Sequence, residues 1–366
     1  MTDVLSSPTE DPATAARPRA LVVGPRAQAR GGIGSVQHVL ERHLPAHAEL
    51  DVVATHSDGP DRLATMLRGT LDAARRIRRD RPDVVHLHVS QRASVLRKGL
   101  LGVVARRAGA RVVMHLHGSQ FLDWFDALPR PARAVVRGLL RPHRLVVLSE
   151  TLRTPYRERL GVPAENVVAL PNPVEWPTEP APPAVGNGTV TALFLGRFGA
   201  RKGIYDLVEA CARLTLAQRS RLRLVAAGDG EVEQVRGAVA RAGVDDVVEV
   251  VEWLDRAERD ELLRRAQLLV LPSSHEGLPM AVLEAMAFGV APVVTPVGAL
   301  PELVADGING ALVPVGDPAA LARTLGALLD DDERRLALGA RARIDAQAYA
   351  APQWAARLAA VWAAPR

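Results

Sequence analysis

The sequence predicts an α/β protein built from two doubly wound domains, and three observations predict it. Short Val/Leu-rich runs recur along the chain, each followed by a stretch with helical spacing. The runs do not alternate apolar with polar residues, which is how strands buried on both faces of a parallel sheet read. One Pro- and Gly-dominated segment interrupts the rhythm, and 366 residues exceed what a single hydrophobic core usually holds.

From the N-terminus, residues 1–17 (MTDVLSSPTEDPATAAR) are rich in Pro, Thr, Ala and Asp and read as a disordered lead-in. The first domain, 18–171, carries the runs ALVVG (20–24), LDVVATH (50–56), DVVHLH (83–88), RVVMHLH (111–117), RLVVLS (144–149) and NVVALP (166–171). Helical spacing fills 61–80, 93–108 and 128–141 between them. Residues 172–188, within PNPVEWPTEPAPPAVGNG, form a linker stiffened by its prolines. The second domain, 189–349, restarts the pattern with TVTALFLGR (189–197), RLRLVAAG (221–228), DVVEVVEW (246–253), LLVLPS (268–273), APVVTP (291–296) and NGALVP (309–314). PQWAARLAAVW (352–362) is a last helix. Ligands of open parallel sheets bind beyond the carboxyl ends of the strands, so two Rossmann-like domains can face one another across a cleft.

Composition narrows the class. Hydrophobic content of 48% and charged content of 24% are those of an ordinary soluble globular protein. Aromatics at 4% argue against stacking platforms for single-stranded nucleic acid, and no nucleic-acid partner is expected. One cysteine, Cys211, excludes an internal disulfide framework and fits a reducing cytoplasm. No apolar run reaches the roughly 18 residues of a membrane span, and the N-terminus lacks a signal-peptide core, so a cytoplasmic location is expected.

Charge is uneven. Residues 1–171 hold 26 Lys+Arg against 16 Asp+Glu (+10), and residues 172–366 hold 20 against 25 (−5). A basic first half suggests an anionic partner there, such as a phosphorylated substrate, a lipid surface or nucleic acid. Of 46 basic residues only Lys98 and Lys202 are lysines, which marks them as positions where a compact point charge is wanted rather than a fork.

Four motifs carry chemistry. GPRAQARGGIGSV (24–36) follows the first strand and leads into a helix near Gly34, so the backbone at Gly31 and Gly32 can approach a phosphate or sugar closely. It lacks the G-x-G-x-x-G spacing of a dinucleotide site. FLGRFGARKG (194–203) places Arg197 at a strand end and Lys202 before the next helix, a guanidinium and an ammonium able to grip a diphosphate from two sides. HLH occurs twice, at His86–His88 and His115–His117, and either pair could chelate a metal from one strand face. No H-x-x-E-H, H-E-x-x-H or acidic partner accompanies them, so a metal-dependent hydrolase stands as an alternative and no metal site is expected. HEGLPMAVLEAMAFG (275–289) reads as a loop and a helix from about Pro279, the proline at the first helical position, to Phe288. The N–H groups of Met280 and Ala281 then form a phosphate cradle, with Glu276 beside it in the loop with Gly277 and Leu278. Glu284 sits further along among small apolar residues, where an unpaired carboxylate is costly unless a ligand or water reaches it.

At this point the sequence resembles the retaining glycosyltransferases of GT-B architecture, and most closely glycosyltransferase family 4. EGLPMAVLEAMAFG is similar to the family's E-x7-E signature, and the likeness runs from about residue 19 onward. It includes the G-G-x-G loop, HLHGS (115–119), LSE (148–150), LPNPV at the linker, G-R-x4-K-G (196–203), AAGDGE (226–231) and TPVGALPELVADGINGALV (295–313). Pro173 stands where the family more often has Gly after Asn.

The resemblance implies a donor site on the second domain and an acceptor site on the first. It implies Arg197 and Lys202 on the donor diphosphate, Glu284 on the ribose hydroxyls, Glu276 on the transferred sugar, His117 lining the sugar site and Gly31–Gly32 closing over the phosphates. Backbone near Trp253–Leu254 would select the base. The expected donor is a UDP- or GDP-sugar as co-substrate, with no cofactor and no metal, and the acceptor a glycan, a lipid-linked sugar or a small molecule. The D-x-D at Asp330–Asp332 reads as surface charge. The C-terminal helix, 350–366, is expected to pack back on the first domain. The basic first domain suits peripheral membrane contact, for which RPARAVVRGLLRPHR (130–144) is a candidate amphipathic helix. A sugar-nucleotide epimerase of similar architecture, or a non-catalytic assembly factor, are the competing readings.

Overall fold

The computed structural model describes residues 17–59, 61–177 and 188–364, so the lead-in 1–16 and most of the expected linker lie outside the described residues. The first domain runs β1 (Arg19–Gly24), α1 (Gly32–His43), β2 (Glu49–Ala54), α2 (Arg62–Asp80), β3 (Val84–Val89), α3 (Ala93–Arg107), β4 (Arg111–Leu116), α4 (Phe121–Asp126), α5 (Arg130–Leu140), β5 (Arg144–Val147), α6 (Glu150–Leu160) and β6 (Val167–Ala169). The second runs β7 (Val190–Leu195), α7 (Ile204–Ala212), α8 (Leu216–Arg221), β8 (Leu222–Ala227), α9 (Val232–Ala242), β9 (Val248–Val251), α10 (Arg256–Arg265), β10 (Leu268–Leu271), α11 (Met280–Ala287), β11 (Ala291–Val294), α12 (Leu300–Leu303) and β12 (Ala311–Leu312). Three helices follow: α13 (Pro318–Asp330), α14 (Asp332–Ala346) and α15 (Ala351–Ala363).

Each domain holds a six-stranded sheet, ordered β2-β1-β3-β4-β5-β6 and β12-β11-β10-β7-β8-β9. All pairings within them are parallel. The Val/Leu runs become strands because helices cover both faces: every residue of β3, β10 and β11 is buried. Helix starts are set by side chains that accept orphan amides. Ser149 caps α6, Asp317 caps α13 and Asp331 caps α14, while Asp255 and Glu258 form a capping box on α10.

The first sheet separates two cores. Residues of α2, α3, α5 and α6 pack on one face, and α1 and α15 on the other. On this second face Trp354, Leu358 and Trp362 of α15 are at most 3% exposed, so the last helix belongs physically to the first domain. The crossing segments lie side by side: the Val174 N–H donates to the Tyr349 carbonyl at 2.8 Å, and the Ala351 N–H to the Val174 carbonyl at 2.9 Å.

Three local expectations need correction. Pro279 is the residue before α11, in extended conformation, because its fixed φ suits the cap and Met280 opens the helix. α1 starts at Gly32 rather than near Gly34, with Gly31 as its cap. The basic segment 130–144 is helical only to Leu140; beyond it His143 is buried and Arg144 opens β5.

Candidate active site

The carboxyl end of β10 leads into the loop 272–279, which two glycines hold in place. Gly203 (φ 72°) lies so close that a Cβ would stand 2.1 Å from the Pro272 carbonyl oxygen, and Gly298 (φ 60°) would place one 2.1 Å from that of Glu276. Arg201 donates to the His275 carbonyl at 3.0 Å, and Asn172, from the chain crossing, donates to the Leu278 carbonyl at 2.7 Å.

This loop presents Glu276, which is 7% exposed. Lys202 Nζ sits 2.6 Å from its Oε1, and the Ser273 hydroxyl donates to the same oxygen at 2.7 Å. A nearly buried carboxylate is retained because an ammonium and a hydroxyl satisfy it. Arg197, on the same glycine-bounded loop as Lys202, is exposed, and its Cγ stands 3.1 Å from where a Cβ on Gly230 would be.

Glu284 is not the unpaired acid that the sequence suggests. Arg259 of α10 holds it, Nη1 to Oε1 at 2.9 Å. Burial pushes the Glu284 carboxyl above its usual range, with Arg259 and then Arg256 pulling the other way. Arg259 also contacts Asp260 at 2.8 Å. Sequence reasoning missed Arg259: a buried acid demands a cation, but nothing singled out one arginine among so many.

Across the cleft, β3 and β4 deliver four histidines to one sheet face, with His88 and His115 in direct register. His88 Nδ1 and His117 Nε2 are 2.9 Å apart, and the Trp362 indole donates to His86 Nδ1 at 3.1 Å. Burial, with Lys98 nearby, pushes the His117 imidazole down to about 3, so it is a neutral hydrogen bonder. Lys98 itself is buried, donating to the Val23 carbonyl at 2.7 Å.

His86, His88 and His115 bring ligand atoms within 4.8 Å of one another. They are the one candidate metal cluster among the described residues, but it does not fit the hydrolase alternative. Those rings are buried in the core, whereas a catalytic metal needs a coordination position open to substrate.

His117 and Glu276 line one cavity of about 330 Å³ between the domains, together with Gly277, Asp123, Tyr156 and Gly298. Arg197, Trp253, Leu254 and Glu284 do not line it. At its edge His275 Nε2 and Asp123 Oδ2, from opposite domains, are 3.5 Å apart. The glycine loop meets α11 directly: a Cβ on Gly32 would stand 3.3 Å from Met280 Cγ. Met280 is buried among first-domain residues, Leu278 is buried, and Ala281 and Leu254 pack on the second core. Trp253 faces Arg30 of the first domain, its ring centroid 5.9 Å from the guanidinium carbon.

Two parallel sheets, with a glycine loop and the E-x7-E segment meeting between them, form the GT-B architecture. The chain belongs to glycosyltransferase family 4. The model for Glycosyl transferases group 1 matches residues 177–345, and that for the Glycosyl transferase 4-like domain matches residues 13–173. A D-inositol 3-phosphate glycosyltransferase of Kineococcus radiotolerans is 30% identical over 326 residues, 80% of this chain and 74% of that protein. One of Xylanimonas cellulosilytica is 33% identical over 216 residues, 58% of this chain but only 46% of that protein's length. Among solved structures, Anabaena HepE in complex with UDP-glucose shares the fold with a TM-score of 0.74 at 18% identity, covering 94% of this chain and 99% of that one.

Proposed function

We propose that the chain transfers a hexose-type sugar from a nucleotide-diphosphate sugar to an acceptor hydroxyl with retention of anomeric configuration. The observation that carries this reading is the Lys202–Glu276 pair in the loops before α11: Lys202 holds the Glu276 carboxylate, and Glu276 lines one cavity with His117. In the free protein Lys202 neutralises Glu276. An incoming diphosphate offers Lys202 a second anion, and Arg197, the α11 amides and the Gly31–Gly32 backbone add donors around it. Glu276 is then free to accept hydrogen bonds from sugar hydroxyls, and neutral His117 serves the same sugar from the opposite wall.

In the reaction the bond from the anomeric carbon to the phosphate oxygen breaks, and the bond to the acceptor oxygen forms on the same face. The acceptor's proton passes to the departing diphosphate, so no nucleophilic carboxylate is required. Cationic groups at the leaving oxygen stabilise the charge that develops there. Glu284, fixed by Arg259, accepts from the ribose hydroxyls, and backbone near Trp253–Leu254 meets the base. Asp330–Asp332 takes no part: Asp332 pairs with Arg221 at 2.7 Å and with Arg335 at 2.8 Å.

A UDP- or GDP-sugar is the donor class we favour; that HepE is described with UDP-glucose supports the first. The relatives' named acceptor, D-inositol 3-phosphate, supports a polyhydroxyl acceptor, whether free, in a glycan or lipid-linked. A thermal-shift panel of UDP-, GDP-, ADP- and dTDP-sugars identifies the donor, because a bound donor raises apparent stability by mass action. Product analysis with that donor then decides. A new glycoside that needs an acceptor supports the proposal, and an altered sugar nucleotide formed without one means epimerisation instead.

A further inference from the structure

We propose that the outer face of α2, α3 and α5 docks on an anionic lipid bilayer, with leucines in the interface and arginines on the headgroups. This deepens the reading above, on which it rests for the lipid-linked choice of acceptor. Ten large hydrophobic residues are conspicuously exposed among the described residues, and six of them lie on these three helices. Leu63, Leu67 and Leu71 form an i, i+4, i+8 stripe on α2, Leu96 and Leu100 a matching pair on α3, and Val135 adds to them from α5; all are 46–64% exposed.

The three helices cover the same face of the first sheet, α3 packing against α2 on one side and α5 on the other. Their outward stripes therefore adjoin. Adjoining exposed apolar residues rimmed by polar ones mark an interaction site.

Charge selects the occupant. α2 carries six arginines against two aspartates, and α3 and α5 carry three arginines each with no acid; Lys98 of α3 is buried and faces inward. Exposed leucines on helices that carry arginines and few acids fit an interfacial bilayer surface, where acyl chains take the apolar groups and anionic headgroups take the guanidinium ions. A second copy of this basic face would repel it. Among the described residues no helix is long and apolar enough to cross a membrane, so this contact lies on the surface.

Position gives the contact a purpose. In a parallel α/β domain each helix starts at the carboxyl end of the strand before it, the end at which the cleft opens. The α2 and α3 leucines all lie in the first two-thirds of their helices, toward that end, and the β3–β4 ends deliver His88 and His117 there. Bound this way, the cavity opens beside the headgroups, where a lipid-linked acceptor presents its hydroxyl.

The test is flotation of the full chain with vesicles of equimolar phosphatidylcholine and phosphatidylglycerol, against phosphatidylcholine alone. The wild type should float with the anionic vesicles only, and less so at high salt. The double variant L67E/L100E, placed on exposed sites, should lower binding by at least about tenfold. Its donor-induced thermal shift should be unchanged, which separates loss of docking from loss of the donor site. No flotation at low salt overturns the proposal, as does flotation that L67E/L100E leaves intact. A wild-type dimer in sedimentation that the double variant makes monomeric also overturns it, in favour of a second copy.

Discussion

Arg259 and Glu284 neutralise one another between α10 and α11, Nη1 2.9 Å from Oε1, with Glu284 only 9% exposed. The pair ties α10 to α11 below the proposed nucleotide site. Its two members are not equivalent, because Arg259 keeps a second acid in Asp260 whereas Glu284 has no other ion pair among the described residues.

Arg259→Met should therefore destabilise more than Glu284→Gln. Stranding a buried carboxylate costs about 3–5 kcal/mol, whereas the glutamine variant leaves a guanidinium that Asp260 still satisfies and should cost roughly 1–3 kcal/mol. Urea unfolding of both variants checks the order. Equal losses would mean that the pair is open to water in solution.

Lys202→Met should lower kcat by about 10²–10³-fold, the scale of removing one group that stabilises charge in a transition state. Glu276→Gln should act through the sugar, lowering kcat while a UDP or GDP thermal shift persists. Were either variant to turn over at the wild-type rate, the proposed site would be wrong.

Trp362→Ala should cost about 3–5 kcal/mol, the range for truncating a buried aromatic to alanine. Trp362→Phe keeps the ring but leaves His86 Nδ1 without its donor, and should cost about 1–3 kcal/mol. The measurement is the denaturation midpoint of the full chain.

Acid should destabilise the protein well before its carboxylates titrate. Burial is the largest cause holding His86, His88, His115 and His143 low, His86 at about 3 and His143 at about 4. The unfolded chain takes up protons on these rings below about pH 6.5, whereas the folded chain does not until far lower. The unfolded state thus binds more protons throughout that interval, so stability is full above about pH 6.5 and is lost as pH falls toward 4. The slope reaches up to about 1.4 kcal/mol per pH unit for each histidine. Urea midpoints measured at stepped pH should fall in this window, and His143→Phe should reduce the slope by one histidine's share. A midpoint that stays flat down to about pH 5 would refute this.

Much of this architecture is legible in the residues. Uninterrupted Val/Leu runs read as buried strands, and each of the twelve strands coincides with one of the twelve runs, with β1, β2 and β3 reaching one residue beyond theirs. Gly31–Gly32, Lys202 and Glu276 stand out because glycine, a rare lysine and an acid in an apolar segment each break a local pattern. The partners of such residues are not legible, since they come from distant turns. Lys202 meets Glu276 across 74 positions, Arg259 meets Glu284 across 25, and Trp362 reaches His86 across 276. Periodicity reports which face a residue takes, whereas pairing depends on how helices stack over the sheet. The four histidines show the difference: two HLH motifs place pairs on strand faces, but only strand order makes one cluster of them.

The return of α15 to the first sheet also bears on how the protein is made. Beside α1, the part of that face which Trp354, Leu358 and Trp362 cover stays open while the entire second domain is synthesised. A nascent chain therefore carries an incomplete, apolar first domain for about 180 residues of synthesis, during which a chaperone or the unfinished second domain must shield it. That face of the first domain is completed only when the last helix emerges, after the whole second domain has been made.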